Sequence, residues 1–213
     1  MTSSVRWLIC AGGTGGGVYP ALAVLQALMD DSYPLKEAYQ MKTPSPLPSI
    51  DQISALWVGG KGGMEAQIVR RSNIPYQEIP AAGVHGVGWK RLPSNIYQIG
   101  RGILASRAIL RQFQPQVILL TGGYLSVPMA LAARYGISKS KRPKIVLYVP
   151  DIEPALALKF ISHFADQINV TTEDSRSYFS YRNTVKVSGY PLRAEHLRWA
   201  NHPHRKEKAC QIF

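Results

Sequence analysis

Long apolar runs are missing from this 213-residue sequence. No stretch approaches the ~18 consecutive apolar residues of a membrane-spanning helix. Met1 to Cys10 holds a single arginine and no extended apolar core, unlike a secretory signal, so a cytoplasmic address is expected by default. Cysteine is scarce: Cys10 and Cys210 show no metal-ligand spacing and need no partner in a reducing compartment. Neither a metal nor a cofactor is expected. Acids are outnumbered, 13 Asp and Glu against 25 Lys and Arg, for a net charge of +12. That excess favours an anionic partner: nucleic acid, an anionic membrane or a phosphorylated substrate. The shortage is local, because residues 89–111 carry Lys90, Arg91, Arg101, Arg107 and Arg111 and no acid. No zinc or helix-turn-helix signature appears, and aromatics do not interleave with the basic stretch as in a stacking module, which argues against nucleic acid. Solenoid-type repeats are absent as well.

What is present is a strand, a glycine-rich turn and a helix, repeated. Val5–Cys10 reads as a strand running into Ala11-Gly12-Gly13-Thr14-Gly15-Gly16-Gly17, then a helix over Tyr19–Met29 with Pro20 in its first turn, where a missing N–H is harmless. Residues 30–52, with Pro34, Pro44, Pro46 and Pro48, read as a loop insertion. Further strands are expected at Ala55–Val58, Pro75–Ile79, Gln116–Leu120, Lys144–Tyr148, Gln167–Val170 and Thr184–Val187. Helices are expected at Met64–Arg71, Pro93–Phe113 and near Pro154–His163. The second of these has an apolar stripe at Ile96, Ile99, Ile103, Leu110 and Phe113. A loop over Ala81–Arg91 contains His85 and Trp89. The alternation implies an α/β fold: a Rossmann-like parallel sheet flanked by helices, over residues 1–187, with right-handed crossovers. Residues 188–213 turn polar and basic and read as a linker and the start of a further domain. Ligands of open parallel sheets bind beyond the carboxyl ends of the strands, which is where the glycine clusters fall.

Glycines allow positive φ and close approach to a ligand, and the helix start behind them presents free N–H groups to an anion. Thr14 adds a hydroxyl. The run lacks the Gly-Lys-Ser/Thr ending of a Walker loop. In the frame from Gly13, Val18 occupies the last glycine of a dinucleotide fingerprint, and no ribose-binding carboxylate follows a second strand. Both points weigh against a nucleotide-dependent oxidoreductase. Gly122-Gly123-Tyr124-Leu125-Ser126-Val127-Pro128 is a second strand-to-helix glycine turn. It is either a plain tight turn or a second backbone cradle, so that two cradles face one cleft. Two such cradles would suit a pyrophosphate.

The stretch Gly12-Gly13-Thr14-Gly15-Gly16-Gly17-Val18-Tyr19-Pro20-Ala21-Leu22-Ala23 resembles the opening of the MurG family of glycosyltransferases. Gly122–Pro128 resembles its second glycine loop, Gly62-Gly63-Met64-Glu65-Ala66 the turn after its second strand, and Ser188-Gly189-Tyr190-Pro191-Leu192-Arg193 the segment joining its two domains. The likeness runs from about Val5 to Arg193. It implies the N-terminal, acceptor-binding half of a two-domain GT-B enzyme. That enzyme transfers N-acetylglucosamine from its UDP form to a lipid-linked pyrophosphoryl acceptor, the peptidoglycan lipid intermediate. On that reading Gly12, Gly13, Thr14, Gly15, Gly16, Gly17, Gly122, Gly123, Tyr124 and Ser126 hold the acceptor pyrophosphate. Arg193 either reaches a donor phosphate or is a surface linker residue. The UDP-sugar would come through a second domain or a partner chain. A cut fragment, a truncated gene and one subunit of a split enzyme all stay open, as does a fragment inert by itself. So does another lipid acceptor.

Two departures stand out. The family's histidine at the end of the first run is Gly17 here, and its His-Glu-Gln-Asn after the fifth strand is Tyr148-Val149-Pro150-Asp151. Candidate bases for deprotonating the acceptor hydroxyl are therefore Asp151, Glu153 and His85. For Asp151 and Glu153 a helix N-cap role is the competing reading. Trp89, Lys90 and Arg91, beside Val84 and Val87, would face an anionic membrane surface, putting the protein peripherally on the inner face of the plasma membrane. A solvated basic face with a buried Trp89 is the alternative.

Overall fold

A computed structural model describes residues 4–13, 15–29, 53–81, 92–180 and 184–200. Seven strands pair in parallel: β1 (Val5–Cys10), β2 (Ile53–Gly60), β3 (Tyr76–Ile79), β4 (Val117–Leu120), β5 (Lys144–Val149), β6 (Gln167–Val170) and β7 (Val185–Val187). The helices are α1 (Gly15–Met29), α2 (Glu65–Arg71), α3 (Leu92–Phe113), α4 (Gly123–Tyr135), α5 (Leu156–Ser162) and α6 (Ala194–Ala200), with 3₁₀ turns at Lys139–Lys141 and Glu173–Tyr178.

The strand order is β3-β2-β1-β4-β5-β6-β7. The chain winds outward from β1 to β3, then returns to β1's other side with β4. That reversal makes the β1/β4 pair the topological switch point, where a crevice opens beyond the strand ends. The two strands end level, because Cys10 pairs with Leu120. The turns that follow them, both glycine-rich, therefore emerge side by side.

Both faces of the sheet are covered, so the strands read as near-continuous apolar runs. Along β1 the side chains alternate. Leu8 and Cys10 join one core with Leu120, Met129, Leu147 and Ile161, and Ile9 joins the other with Val18, Leu22 and Trp57. Each such fully buried side chain contributes about 1.5–3 kcal/mol relative to exposure.

Helix α1 begins at Gly15, ahead of the expected Tyr19, which makes Pro20 an interior residue. It has a counterpart in Pro128 of α4. Each proline is five residues past the first helical glycine, so each removes one i to i−4 hydrogen bond near the helix start. The α3 stripe is also corrected. Ile103, Leu110 and Phe113 pack on the core, but Ile96 is 57% exposed. The cause is length: 22 helical residues rise about 33 Å, whereas the four residues of β4 cover about 13 Å. The first turns of α3 overhang the sheet. Gly102 is packed closely: an added Cβ there would lie 3.0 Å from Pro128 Cβ and overlap the carbonyl of Pro80. Residues 188–193 lie back against the carboxyl edge: Ser188 N–H donates to Val170 O (3.0 Å) and Tyr148 O–H to Gly189 O (3.2 Å). Among the described residues, no helix is long and apolar enough to cross a membrane.

Candidate functional site

The turn after β1 passes through buried Ala11 and Gly12 to Gly13, which adopts φ +87°, and α1 starts two residues later. The indole N–H of buried Trp57 props this turn by donating to Ala11 O (2.9 Å). The turn after β4 passes through Thr121 to Gly122, an extended N-cap residue, and α4 starts at Gly123. The two turns touch, backbone to backbone. A Cβ on Gly122 would lie 2.9 Å from both the N and the O of Gly12, and one on Gly17 would lie 2.8 Å from Thr121 O. Thr121 Oγ1 donates to Gly17 O at 2.7 Å, and Thr121 N–H to Cys10 O at 3.3 Å. Any side chain at positions 12, 17 or 122 has to displace backbone or a buried group. The glycine at 17, where the resemblance expects histidine, is thus filled by the neighbouring turn.

This sorts the residues singled out from sequence. Gly12, Gly17 and Gly122 are buried packing positions. Ser126 is buried and donates to Cys10 O (3.3 Å), so its hydroxyl faces the sheet and is not offered to a ligand. Gly13, Gly15, Gly16, Gly123 and Tyr124 remain at the surface, on the first turns of two adjoining helices. Thr14, His85, Trp89, Lys90 and Arg91 lie outside the described residues, as do the 30–52 segment and the chain beyond Ala200.

Asp151 follows β5 and Glu153 follows it, both exposed. The residue preceding α5 is Ala155, with no side-chain cap, so the helix-cap reading fails for both carboxylates. Glu153 instead pairs with Lys159 Nζ at 3.3 Å. Asp151 stands beyond β5, the strand beside β4, on the edge that carries the glycine turns. Tyr148, also at this edge, is held by burial above the usual phenol range. The guanidinium of Arg193 lies over the Tyr19 ring at 5.3 Å, and that ring packs against Gly15. A cavity of about 310 Å³ is bounded here by Tyr19, Tyr190, Leu192, Arg193 and His196. A larger one, about 660 Å³, opens at the opposite edge, lined by Arg6, Arg111, Lys141 and Arg142. There Arg6 and Arg142 donate to Gln114 O and Ile137 O, carbonyls just past the C-termini of α3 and α4. Those two arginines serve helix ends; the glycine turns lie at the other edge.

One residue of the site carries no role in the sequence reading. Glu65, at the start of α2, is fully buried. Its Oε1 accepts from Gly60 N–H (2.7 Å) and its Oε2 from Gly13 N–H (3.3 Å). Gly12 and Gly63 wall it so closely that a Cβ on either would overlap the carboxylate. The available signal was an acid directly after Gly62-Gly63-Met64, opening a helix. Nearby, Tyr76 Oη is buried without a hydrogen-bond partner among the described residues. Burial, then the charges of Glu65 and Glu78, push its pKa up to about 12. Burial likewise pushes the Cys10 thiol to about 12. No group of three or more His, Cys, Asp or Glu among the described residues is arranged to hold a metal.

The sequence profile of the glycosyltransferase family 28 N-terminal domain matches residues 50–170. The chain belongs to this family. Its curated relatives include UDP-N-acetylglucosamine–N-acetylmuramyl-(pentapeptide) pyrophosphoryl-undecaprenol N-acetylglucosamine transferases. The Roseiflexus sp. protein is 33% identical, covering 96% of this chain and 48% of its own length. That of Desulforamulus reducens is 31% identical, covering 91% and 46%. The chain thus spans about half the length of the curated relatives it matches. Among solved structures, Acinetobacter baumannii MurG superposes with a TM-score of 0.62 at 19% identity, covering 89% of this chain and 46% of that one. The UDP-GlcNAc 2-epimerase of Neisseria meningitidis, bound to UDP-GlcNAc, superposes at 0.55 and 15% identity, covering 98% and 53%. At these identities the two structures share the fold.

Proposed function

We propose that this family-28 domain is the acceptor-binding part of a hexosyltransferase that moves N-acetylglucosamine from UDP-N-acetylglucosamine to a lipid-linked pyrophosphoryl acceptor of peptidoglycan synthesis. The observation that carries the reading is the meeting of two helix N-termini at the switch point of the sheet. Each helix start leaves its first N–H groups without intrahelical partners and carries about half a positive charge. Here two such ends are joined backbone to backbone through Gly12, Gly17 and Gly122. A pyrophosphate, with two adjacent anionic groups, matches two adjacent donor sets. The N–H groups of Gly15, Gly16, Gly123 and Tyr124 are its donors. Gly13 is not among them, since its N–H is held by Glu65.

In the reaction, the acceptor hydroxyl oxygen attacks the anomeric carbon of the donor sugar, UDP leaves with its bonding electrons, and the hydroxyl proton passes to a base. Asp151 is the base on this reading: an exposed carboxylate at the same sheet edge, with no ion pair among the described residues. The donor would be held by a second domain or a partner chain, with Arg193 at the rim beside Tyr19. The relatives' printed names support the donor and acceptor classes. The test is transfer of labelled N-acetylglucosamine from its UDP form to a lipid-pyrophosphoryl muramyl acceptor, with this chain alone and mixed with a matching second half. Activity in the mixture alone supports the reading. Silence in both with no acceptor binding refutes it.

A peripheral position on an anionic membrane, on the cytoplasmic side, belongs to the same reading, and exposed apolar side chains on α3 support the membrane contact. Ile96, Tyr97 and Leu104 are 57%, 64% and 66% exposed, and Arg101 stands over the Tyr97 ring at 5.9 Å. An apolar stripe with basic company suits insertion at a lipid headgroup layer.

A further inference from the structure

Glu65 is a buried acid with no basic partner among the described residues, and it is placed where a phosphate is proposed to bind next door. A buried carboxylate is tolerated only when its lone pairs are taken. The donors here are two backbone amides from different turns, Gly60 at the end of β2 and Gly13 after β1. We infer that Glu65 is a positioning residue: by accepting the N–H of Gly13 and of Gly60 it fixes the first glycine turn so that Gly15 and Gly16 N–H face the ligand. This rests on the pyrophosphate reading above.

Three features support it. Gly13 adopts φ +87° at the surface, and an added Cβ there would meet nothing within 4 Å, so its outer side is open. The hydrogen bond to Glu65 supplies the restraint. Second, only a carboxylate fits both amides. Each oxygen accepts one bond, whereas a carboxamide has one accepting oxygen and would set its NH₂ against the other N–H. Third, the carboxylate withdraws the Gly13 N–H from the cradle and stands behind the turn, away from the exposed helix starts. Its own position in the first turn of α2 is favourable for a negative charge.

The test uses the full chain, farnesyl pyrophosphate as probe, calorimetric binding at a temperature where every variant is folded, and ¹H–¹⁵N spectra. In the wild type, the probe should shift the Gly15, Gly16, Gly123 and Tyr124 amide signals and leave Gly13 nearly unmoved. Glu65→Gln should weaken binding about tenfold or more and displace the Gly13 and Gly60 signals before any probe is added. Tyr76→Phe, which alters a neighbouring buried group and removes no hydrogen bond among the described residues, should bind as the wild type does. Glu65→Gln binding with wild-type affinity overturns the inference and leaves the pyrophosphate reading standing. So does a wild-type Gly13 signal that moves as far as that of Gly16, a result available even if Glu65→Gln fails to fold. A wild type that binds no pyrophosphate overturns both.

Discussion

Alanine at Gly122 tests whether the two turns are as tightly joined as described. The backbone there is extended, φ −122° and ψ 139°, which any residue adopts. The penalty is therefore wholly steric. The new Cβ would lie 2.9 Å from Gly12 N and 2.9 Å from Gly12 O. Both are backbone atoms, fixed by the end of β1 and unable to rotate aside. Overpacking a close-packed interior costs about 1–3 kcal/mol, and a rigid contact on two atoms belongs in the upper half of that range. Reduced freedom of the unfolded chain returns about 0.4–1 kcal/mol, leaving a loss of about 2 kcal/mol. For a domain of this size each kcal/mol moves the melting midpoint by about 2–4 °C, so Gly122→Ala should melt about 4–8 °C lower. Gly123→Ala is the control: its Cβ meets nothing within 4 Å, and its midpoint should be unchanged or slightly raised. Thermal unfolding followed by circular dichroism reads both. Equal midpoints for Gly122→Ala and the wild type, within about 1 °C, would refute the backbone contact.

Three further outcomes are expected. In a complete two-half enzyme, Asp151→Asn should lower turnover by about 10²–10⁴-fold, and near-normal turnover removes Asp151 as the base. The Cys10 thiol, raised from 9.0 to about 12, stays protonated in the fold while the unfolded chain ionises. In a Cys210→Ser background it should therefore resist thiol reagents until unfolding. The unfolded state binds fewer protons above pH 9, so stability should fall as pH rises toward 12, by up to about 1.4 kcal/mol per unit; a flat profile in urea melts would contradict this. Replacing Ile96 and Leu104 with Asp should reduce co-sedimentation with phosphatidylglycerol vesicles, and binding that ignores both the substitutions and the anionic lipid counts against docking through α3.

Sequence alone made the strands and their parallel pairing legible, because apolar runs ending in glycine recur with helical stretches between them. It placed the glycine turns at the carboxyl edge of the sheet for the same reason. Partner distance was not legible. Gly12, Gly13, Gly16 and Gly17 look alike in a row, yet one supports a positive φ, two touch a neighbouring turn or carboxylate, and one is open to solvent. Ser126 resembles a ligand hydroxyl until the Cys10 carbonyl is seen beside it. Glu65 is silent because its partners are 5 and 52 residues away and are backbone amides. Ile96 keeps the period of a buried stripe although the sheet beneath it has ended.

The direct contact between the two turns also bears on motion. Side chains between packed elements hop rotamers and let their neighbours adjust; a contact of glycine backbone on glycine backbone has no rotamer to change. The starts of α1 and α4 therefore move as one body, and their donors keep a fixed spacing whether or not an anion is present. Ordering of the cradle is completed during folding and adds little to the cost of binding. Any closing over a ligand must come from segments joined less directly, such as residues 189–193, beyond the backbone tie of Ser188 to Val170, where the Tyr148 hydroxyl and the Arg193 stack on Tyr19 hold the chain.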